Sequence, residues 1–246
     1  NPFHAMPPGE QQPASGVNEP ETIKFASAEP ELFPELTAVT GLLLPDPQRI
    51  KRVFDILFTI VMALASLPLG ILIALAIVLD SRGGVFFAHT RVGKGGKPFR
   101  IWKFRSMIAG SDEILARYLE RNPTLVEEWK LSHKLKDDPR VTRVGRLLRK
   151  TSLDELPQVW NVLRGEMSMV GPRPIVSEES AKYGPAFALY SQVRPGLTGL
   201  WQVSGRNDTN YKRRVALDCR YIRDWSLWLD AKILLKTVRV VLGGRG

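Results

Sequence analysis

Sulfur and imidazole are scarce in this chain, whose 246 residues hold one cysteine and three histidines. A lone Cys219 excludes an internal disulfide, and His4, His89 and His133 offer no cluster of soft ligands for zinc or iron. Any metal it uses is therefore a hard cation held by carboxylate oxygens. A phosphate-cradling glycine loop is also missing, because Gly93-Lys94-Gly95-Gly96 lacks the P-loop spacing and reads as a hairpin turn. The sequence starts at Asn1 rather than Met, as a truncated or processed chain would, and its first residues do not read as a secretory signal.

Acidic residues are few and unevenly spread. The chain carries a net charge of +10, yet residues 1–47 hold seven acids against the single base Lys24, which leaves +16 on the rest. A body this basic faces something anionic: nucleic acid, lipid headgroups or phosphorylated substrates. Residues 1–47 also contain nine of the eighteen prolines and no sustained apolar period, so they read as an extended or disordered arm.

Charge is absent altogether from Ile56 to Leu79, 24 residues. An apolar run of 18 or more is the usual sign of a transmembrane helix. Pro68 sits in its middle, two residues after Ser66, and removes a backbone hydrogen bond. Basic residues flank both ends, with Arg49, Lys51 and Arg52 before the run and Arg82, Arg91 and Lys94 after it, and such flanks prefer the cytoplasmic side. Two readings stay open. One is a kinked single crossing. The other is a re-entrant helix-break-helix over 48–82, each half reaching about 18 Å at roughly 1.5 Å per residue, short of the ~30 Å apolar core.

Beyond the anchor, residues 83–246 read as one domain. Val85–Thr90 and Pro98–Phe104 are β-branched and aromatic runs around the glycine turn, a short β-hairpin. Ser111 is expected to cap a helix, and helical patterns recur at Val144–Lys150, Leu153–Leu163, Glu178–Tyr183 and Tyr211–Leu242. The last carries Lys232, Lys236 and Arg239 among Trp225, Trp228, Ile233, Leu234 and Val241. Beside the anchor, that pattern reads as a basic amphipathic helix in the membrane interface, the alternative being a core helix with a solvated basic face. The expected fold class is α+β and mostly helical: a re-entrant anchor, a hairpin and amphipathic interfacial helices.

Chemistry concentrates between Arg140 and Pro174, where the adjacent carboxylates Asp154 and Glu155 lie among many arginines. Ser152-Leu153-Asp154-Glu155 fits a capping box at a helix start. It also fits an ionised nucleophile, because a first-turn carboxylate meets the positive end of the helix dipole and nearby arginines. Carboxylates attack phosphorus to form acyl phosphates, and arginine forks bind phosphate bidentately. Arg149 precedes Asp154 by five residues, and Arg173 is stiffened between Pro172 and Pro174.

The run SLDELPQVWNVLRGEMSMVGPRP, together with K-R-x-F-D from Lys51, W-K-F-R-S-M at Trp102–Met107 and V-R-P-G-L-T-G-L-W-Q-V-S-G-R-N-D at Val193–Asp208, resembles the bacterial sugar transferases, the monotopic phosphoglycosyl transferase superfamily. The last segment is most similar to the undecaprenyl-phosphate galactose phosphotransferase branch, whose larger members carry further transmembrane helices upstream. The resemblance implies a ping-pong reaction. Asp154 would attack the β-phosphate of a UDP-sugar, expel UMP and pass the phosphosugar to undecaprenyl phosphate at the cytoplasmic face of the bacterial inner membrane. It further implies Mg²⁺ on Glu155 and Asp154, phosphate contacts from Arg149, Arg173, Lys103 and Arg105, and nucleotide-sugar contacts from Arg206 and Asn207. Many members carry Ser-Pro at the membrane break, whereas Leu67 here separates Ser66 from Pro68.

The sugar expected is galactose, the setting polysaccharide synthesis, and no nucleic acid is expected as partner. A homodimer is plausible by analogy with the larger members. The contrasting reading is a non-catalytic basic scaffold on the membrane that binds anionic lipid or nucleic acid through the +16 body.

Overall fold

The computed structural model describes residues 41–132, 135, 137–205 and 211–242. All belong to one compact unit, Glu35–Gly246. Of the arm, only residues 41–47 fall among them. A short 3₁₀ turn at Gly41–Leu43 buries Leu42, and Pro45 opens a helix of 36 residues, α1 (Pro45–Asp80).

Pro45 and Pro47 suit a helix start, where the missing N–H groups would have no intrahelical acceptor. Pro68 does not end α1. The helix runs through it as one element, with the Ser66 hydroxyl donating to the Ala63 carbonyl at 3.4 Å. A re-entry would therefore need a kink within the helix at Pro68, where proline withholds one backbone bond, rather than a gap between two helices. α1 is long and apolar enough to cross a membrane, and only 11% of its most apolar stretch is buried, which separates it from a soluble core helix.

The two ends of α1 are the parts that pack. Near the start, the buried Lys51 ammonium contacts Asp230 Oδ2 at 2.7 Å and Asp55 Oδ1 at 3.5 Å. Asp55 also accepts from Ser168 Oγ at 2.7 Å and from the Met169 N–H at 3.1 Å. Near the end, Ile73 and Ile77 join Phe104 and Leu148 in a buried cluster, and Asp80 accepts from the Val144 N–H. Between them, Ile60, Val61, Leu64, Leu67, Leu69, Ile71 and Leu72 are exposed.

The hairpin pairs β1 (Phe86–Val92) with β2 (Pro98–Phe104) in antiparallel register, Phe87 opposite Lys103 and His89 opposite Ile101. Its turn needs left-handed backbone at Gly95 (φ 73°) and Gly96 (φ 71°), which glycine adopts without steric cost. α2 (Ser111–Arg121) begins at Ser111 rather than after it. Gly110 occupies the N-cap position at φ 69°, and no side chain caps the helix. α3 (Thr124–Ser132) follows.

α4 (Arg143–Thr151) is capped by Thr142, whose hydroxyl accepts from the Gly145 N–H at 2.9 Å. The single helix expected over Leu153–Leu163 divides. Leu153–Glu155 is a 3₁₀ turn, and α5 (Gln158–Arg164) starts only after Pro157. The expected capping box is not formed. Ser152 instead ends α4 in the left-handed region (φ 56°), its N–H bonded to the Leu148 and Arg149 carbonyls.

Two three-residue strands that periodicity cannot reveal, β3 (Ser168–Val170) and β4 (Gly196–Thr198), pair in parallel. Glycine permits their approach, since a Cβ on Gly196 would lie 2.1 Å from the Gly171 nitrogen. α6 (Ser180–Tyr183) and α7 (Ala186–Tyr190) intervene. The last expected helix also divides, into α8 (Tyr211–Arg223) and α9 (Leu227–Leu242). Ser226 separates them by accepting from the Leu229 N–H, an N-cap arrangement.

The main core gathers Leu42, Ile101, Val162, Met169, Tyr221 and Ile233, so that the hairpin, α5, β3, α8 and α9 meet around α1. Asn161 locks the hairpin to α5, accepting from the Trp102 N–H at 3.0 Å and donating to the Arg100 carbonyl at 2.7 Å.

Candidate active site

A cavity of about 830 Å³ opens where β2, the Leu153–Glu155 turn and the Arg173 loop converge. Asp154, Glu155, Lys103, Arg105, Arg149 and Arg173, widely separated in sequence, all line it. Arg206 and Asn207 lie outside the described residues. Ser66 and Pro68 belong to the exposed middle of α1 and do not line the cavity.

The carboxylates reach it because α4 stops sharply. The left-handed Ser152 reverses the chain, and Leu153 and Leu156 pack onto the Ile73, Ile77, Phe104 and Leu148 cluster. The acid turn is thereby seated directly on the C-terminal part of α1. Lys103, one residue before Phe104 on β2, reaches across with its ammonium 3.3 Å from Asp154 Oδ2 and 2.6 Å from Glu155 Oε1.

Asp154 is 8% exposed, and burial raises its pKa above the ordinary aspartate value, with Lys103 and Arg149 opposing and Glu155 adding to the rise. The helix dipole expected to hold it ionised is absent, since the turn is only three residues long. Arg149, in the last turn of α4, donates from Nε to Ser106 Oγ at 2.9 Å. Gly145 allows that neighbour so close, because a Cβ there would sit 2.1 Å from the Ser106 carbonyl oxygen.

Arg105 faces the same cavity but directs its guanidinium to the end of α1. It donates to the Ser81 carbonyl at 2.7 Å, and to those of Arg82 and Ile77. The Ser81 and Arg82 carbonyls follow directly on the last helical residue, Asp80, and a cation there also meets the negative end of the dipole. Gly83 leaves space for it, as a Cβ at 83 would lie 2.1 Å from Arg105 Nη1.

At the other end of the cavity, Arg173 lies over the Trp201 ring at 5.4 Å, and Arg214 lies 5.1 Å from the same ring. Arg214 is fixed in turn by Glu179 Oε1 at 3.2 Å. The fully buried Asp218, which accepts the Tyr183 hydroxyl at 2.7 Å, also takes a backbone hydrogen bond from Arg173. Burial pushes its pKa up to about 7. Asp218 thus holds the Arg173 loop from behind.

Several lining residues escaped the sequence reading: Phe87, His89, Ser106, Arg140, Trp201 and Gln202. Trp201 and Gln202 stand inside a quoted motif, a signal that could have singled them out. Ser106 likewise falls in the quoted W-K-F-R-S-M segment, whereas His89 carries no such mark.

A metal fits this donor set in one way. Asp154 and Glu155 come within 3.3 Å and 2.6 Å of one shared cation, the Lys103 ammonium, so both carboxylates can face one ion. Mg²⁺ is commonly held by one or two carboxylates with water and substrate phosphates completing its shell. Among the described residues no group of three or more metal-ligating side chains gathers.

The bacterial sugar transferase family model matches residues 47–244. The chain is 47% identical over 207 residues to the exopolysaccharide production protein ExoY of Sinorhizobium fredii, covering 84% of this chain and 92% of the relative. It is 50% identical over 193 residues to the undecaprenyl-phosphate galactose phosphotransferase of Salmonella typhimurium, covering 78% of this chain and 40% of that longer protein. To the UDP-glucose:undecaprenyl-phosphate glucose-1-phosphate transferase of Caulobacter vibrioides it is 44% identical over 200 residues, 78% of this chain and 69% of the relative. With the acid pair, its lysine and the arginine-lined cavity all inside the matched span, the chain belongs to the bacterial sugar transferase family.

Proposed function

We propose that this protein transfers a hexose-1-phosphate from a UDP-sugar to undecaprenyl phosphate, releasing UMP, as a membrane step of polysaccharide synthesis. The observation that carries the proposal is the pairing of Asp154 and Glu155 on one ammonium, Lys103, inside a cavity ringed by arginine. Relatives named for this transfer differ in their hexose, galactose in one and glucose in another. Galactose is the first substrate to try, on the likeness to the galactose phosphotransferase.

The reaction divides into two displacements at one phosphorus. An Asp154 carboxylate oxygen attacks the β-phosphorus of the UDP-sugar, the bond from that phosphorus to the bridging oxygen breaks, and UMP departs with the electron pair. A phosphate oxygen of undecaprenyl phosphate then attacks the phosphosugar held on Asp154. The aspartate oxygen leaves, regenerating the carboxylate and giving an undecaprenyl diphosphate sugar. Splitting the transfer this way is the usual gain from covalent catalysis.

Burial suits Asp154 to the part. A carboxylate with a raised pKa is more basic, hence a stronger nucleophile once ionised, and Lys103 keeps part of the population ionised. Lys103, Arg149 and Arg173 supply positive charge for the diphosphate. Asp154 and Glu155 would hold Mg²⁺, which when bound neutralises charge on the diphosphate and leaving group. Arg206 and Asn207 are assigned to the nucleotide-sugar.

The lipid substrate favours a re-entrant α1 at the cytoplasmic face of the inner membrane. Supporting that topology, both ends of α1 pack on the same body, through Lys51 and Asp55 at one end and Ile73, Ile77 and Asp80 at the other. A kink at Pro68 would let the exposed middle dip into the bilayer and return.

The test is UMP release from UDP-galactose by protein held in nanodiscs with Mg²⁺, with and without undecaprenyl phosphate, beside Asp154→Asn. UMP from the wild type, sustained only with lipid and lost in the variant, is the expected result. No UMP from UDP-galactose or from a panel of other UDP-sugars would overturn the proposal and leave the scaffold reading.

A further inference from the structure

One wall of the cavity has no part in the chemistry above. On β1, Phe87 and His89 alternate onto the same face, both line the cavity, and both are exposed. Their rings stack at 6.3 Å with 27° between planes. Phe87 is the direct cross-strand partner of Lys103, the residue that touches both carboxylates. An exposed aromatic pair beside a buried acid site is an apolar platform on the wall of the cavity that faces Lys103.

His89 adds a directed polar group. An Arg91 guanidinium nitrogen hydrogen-bonds His89 Nδ1. Guanidinium only donates, so Nδ1 accepts, and the ring proton of the neutral imidazole sits on Nε2. Partial desolvation in the cavity and Arg91 both lower the pKa of His89, which favours that neutral form. The wall therefore combines aromatic faces with one N–H donor.

We propose that Phe87 and His89 form the hexose subsite, Phe87 packing against the C–H face of the sugar and His89 Nε2–H donating to a ring hydroxyl. This rests on the transferase reading above. In that reading the sugar hangs from the very phosphorus that Asp154 attacks, so it must lie beside the Asp154–Lys103 pair, and Phe87 is the aromatic opposite Lys103. The uracil, two phosphates away, belongs farther from Asp154. A platform against C–H groups plus one hydroxyl contact is how a site distinguishes hexoses that differ at a single centre, and a hydroxyl partner left unpaired is strongly rejected.

The experiment uses the full chain in nanodiscs with Mg²⁺ and compares Phe87→Ala, Phe87→Tyr, His89→Phe and His89→Gln with wild type. Read out are KM and kcat/KM for UDP-galactose and UDP-glucose, the inhibition constant of UMP and the KM for undecaprenyl phosphate. Phe87→Ala should raise KM for the UDP-sugar about tenfold, and His89→Phe should shift the preference between the two sugars by about tenfold, each near 1.4 kcal/mol. Phe87→Tyr keeps the platform and His89→Gln keeps a donor, so each should lose less than Phe87→Ala and His89→Phe respectively. UMP, which lacks the sugar, should inhibit all variants equally. An altered UMP constant would place the uracil on this wall, and an altered undecaprenyl phosphate KM with unchanged sugar kinetics would place the lipid there; either overturns the subsite. An active wild type whose variants keep its sugar kinetics removes the subsite alone, whereas a wild type inactive on every UDP-sugar removes the transferase reading with it.

Discussion

Asp154 is pulled two ways, by burial that favours its protonated form and by the Lys103 ammonium at 3.3 Å that favours the carboxylate, and burial prevails. If it is the nucleophile, kcat/KM for the UDP-sugar falls on the acid side through a pKa above the ordinary aspartate value. Lys103→Met, which removes the principal counter-charge, should move that limb to higher pH and lower the plateau. A pH–rate profile of UMP release reads both effects. Asp218 gives the corresponding stability prediction. A pKa raised to about 7 in the fold means that its contribution to stability is complete below the unfolded value of 3.8 and is lost as pH rises toward 7. Chemical denaturation of Asp218→Asn should lack this component, so the difference in stability from wild type changes across that window and levels off outside it. At this scale Asp154, Glu155, Lys103, Arg149 and Arg173 were legible because acids and bases at family spacing carry their chemistry in their names. His89 was not, since only the register of β1 brings it to the cavity.

Among the elements, the hairpin could be read because two seven-residue β-rich runs flank a glycine turn. The strands β3 and β4, three residues each, are too short to display a period, and their pairing depends on bare backbone at Gly171 and Gly196. Gly196→Ala should therefore destabilise the protein by about 1–3 kcal/mol and loosen the Arg173 loop, seen as a lower midpoint in denaturant and a raised KM for the UDP-sugar. The helix expected from Leu153 failed for a local reason, the left-handed Ser152 and then Pro157. That break is what presents the acid pair. α1 is fastened at its start by a wholly buried set, Lys51 with Asp55 and Asp230, and Asp230 also accepts the Tyr221 hydroxyl at 2.6 Å and the Trp225 indole at 3.1 Å. Lys51→Met would leave two carboxylates buried without their cation, a loss of about 3–5 kcal/mol, measurable as a drop in unfolding midpoint in detergent.

Across the whole molecule, the charge-free run legibly marked a helix long and apolar enough to cross a membrane, but composition could not tell a crossing from a re-entry. The packing of both ends of α1 on one body bears on that choice more directly than flanking charges do. In a Cys219→Ser background, single cysteines at Arg49 and Arg82 should react from the same side of sealed vesicles with a membrane-impermeant maleimide; reaction from opposite sides would favour a crossing. On the proposed topology, the seat of the acid turn on Ile73 and Ile77 sets Asp154 beside the end of α1, where a polyprenyl phosphate headgroup would arrive. The claim on which the account rests is that Asp154 carries the phosphosugar between two half-reactions, and isotope exchange tests it without the lipid. Wild-type protein with unlabelled UDP-sugar and labelled UMP, and no undecaprenyl phosphate, should move label into the UDP-sugar, and Asp154→Asn should not. Turnover that requires the lipid but gives no exchange in its absence would contradict a covalent intermediate on Asp154.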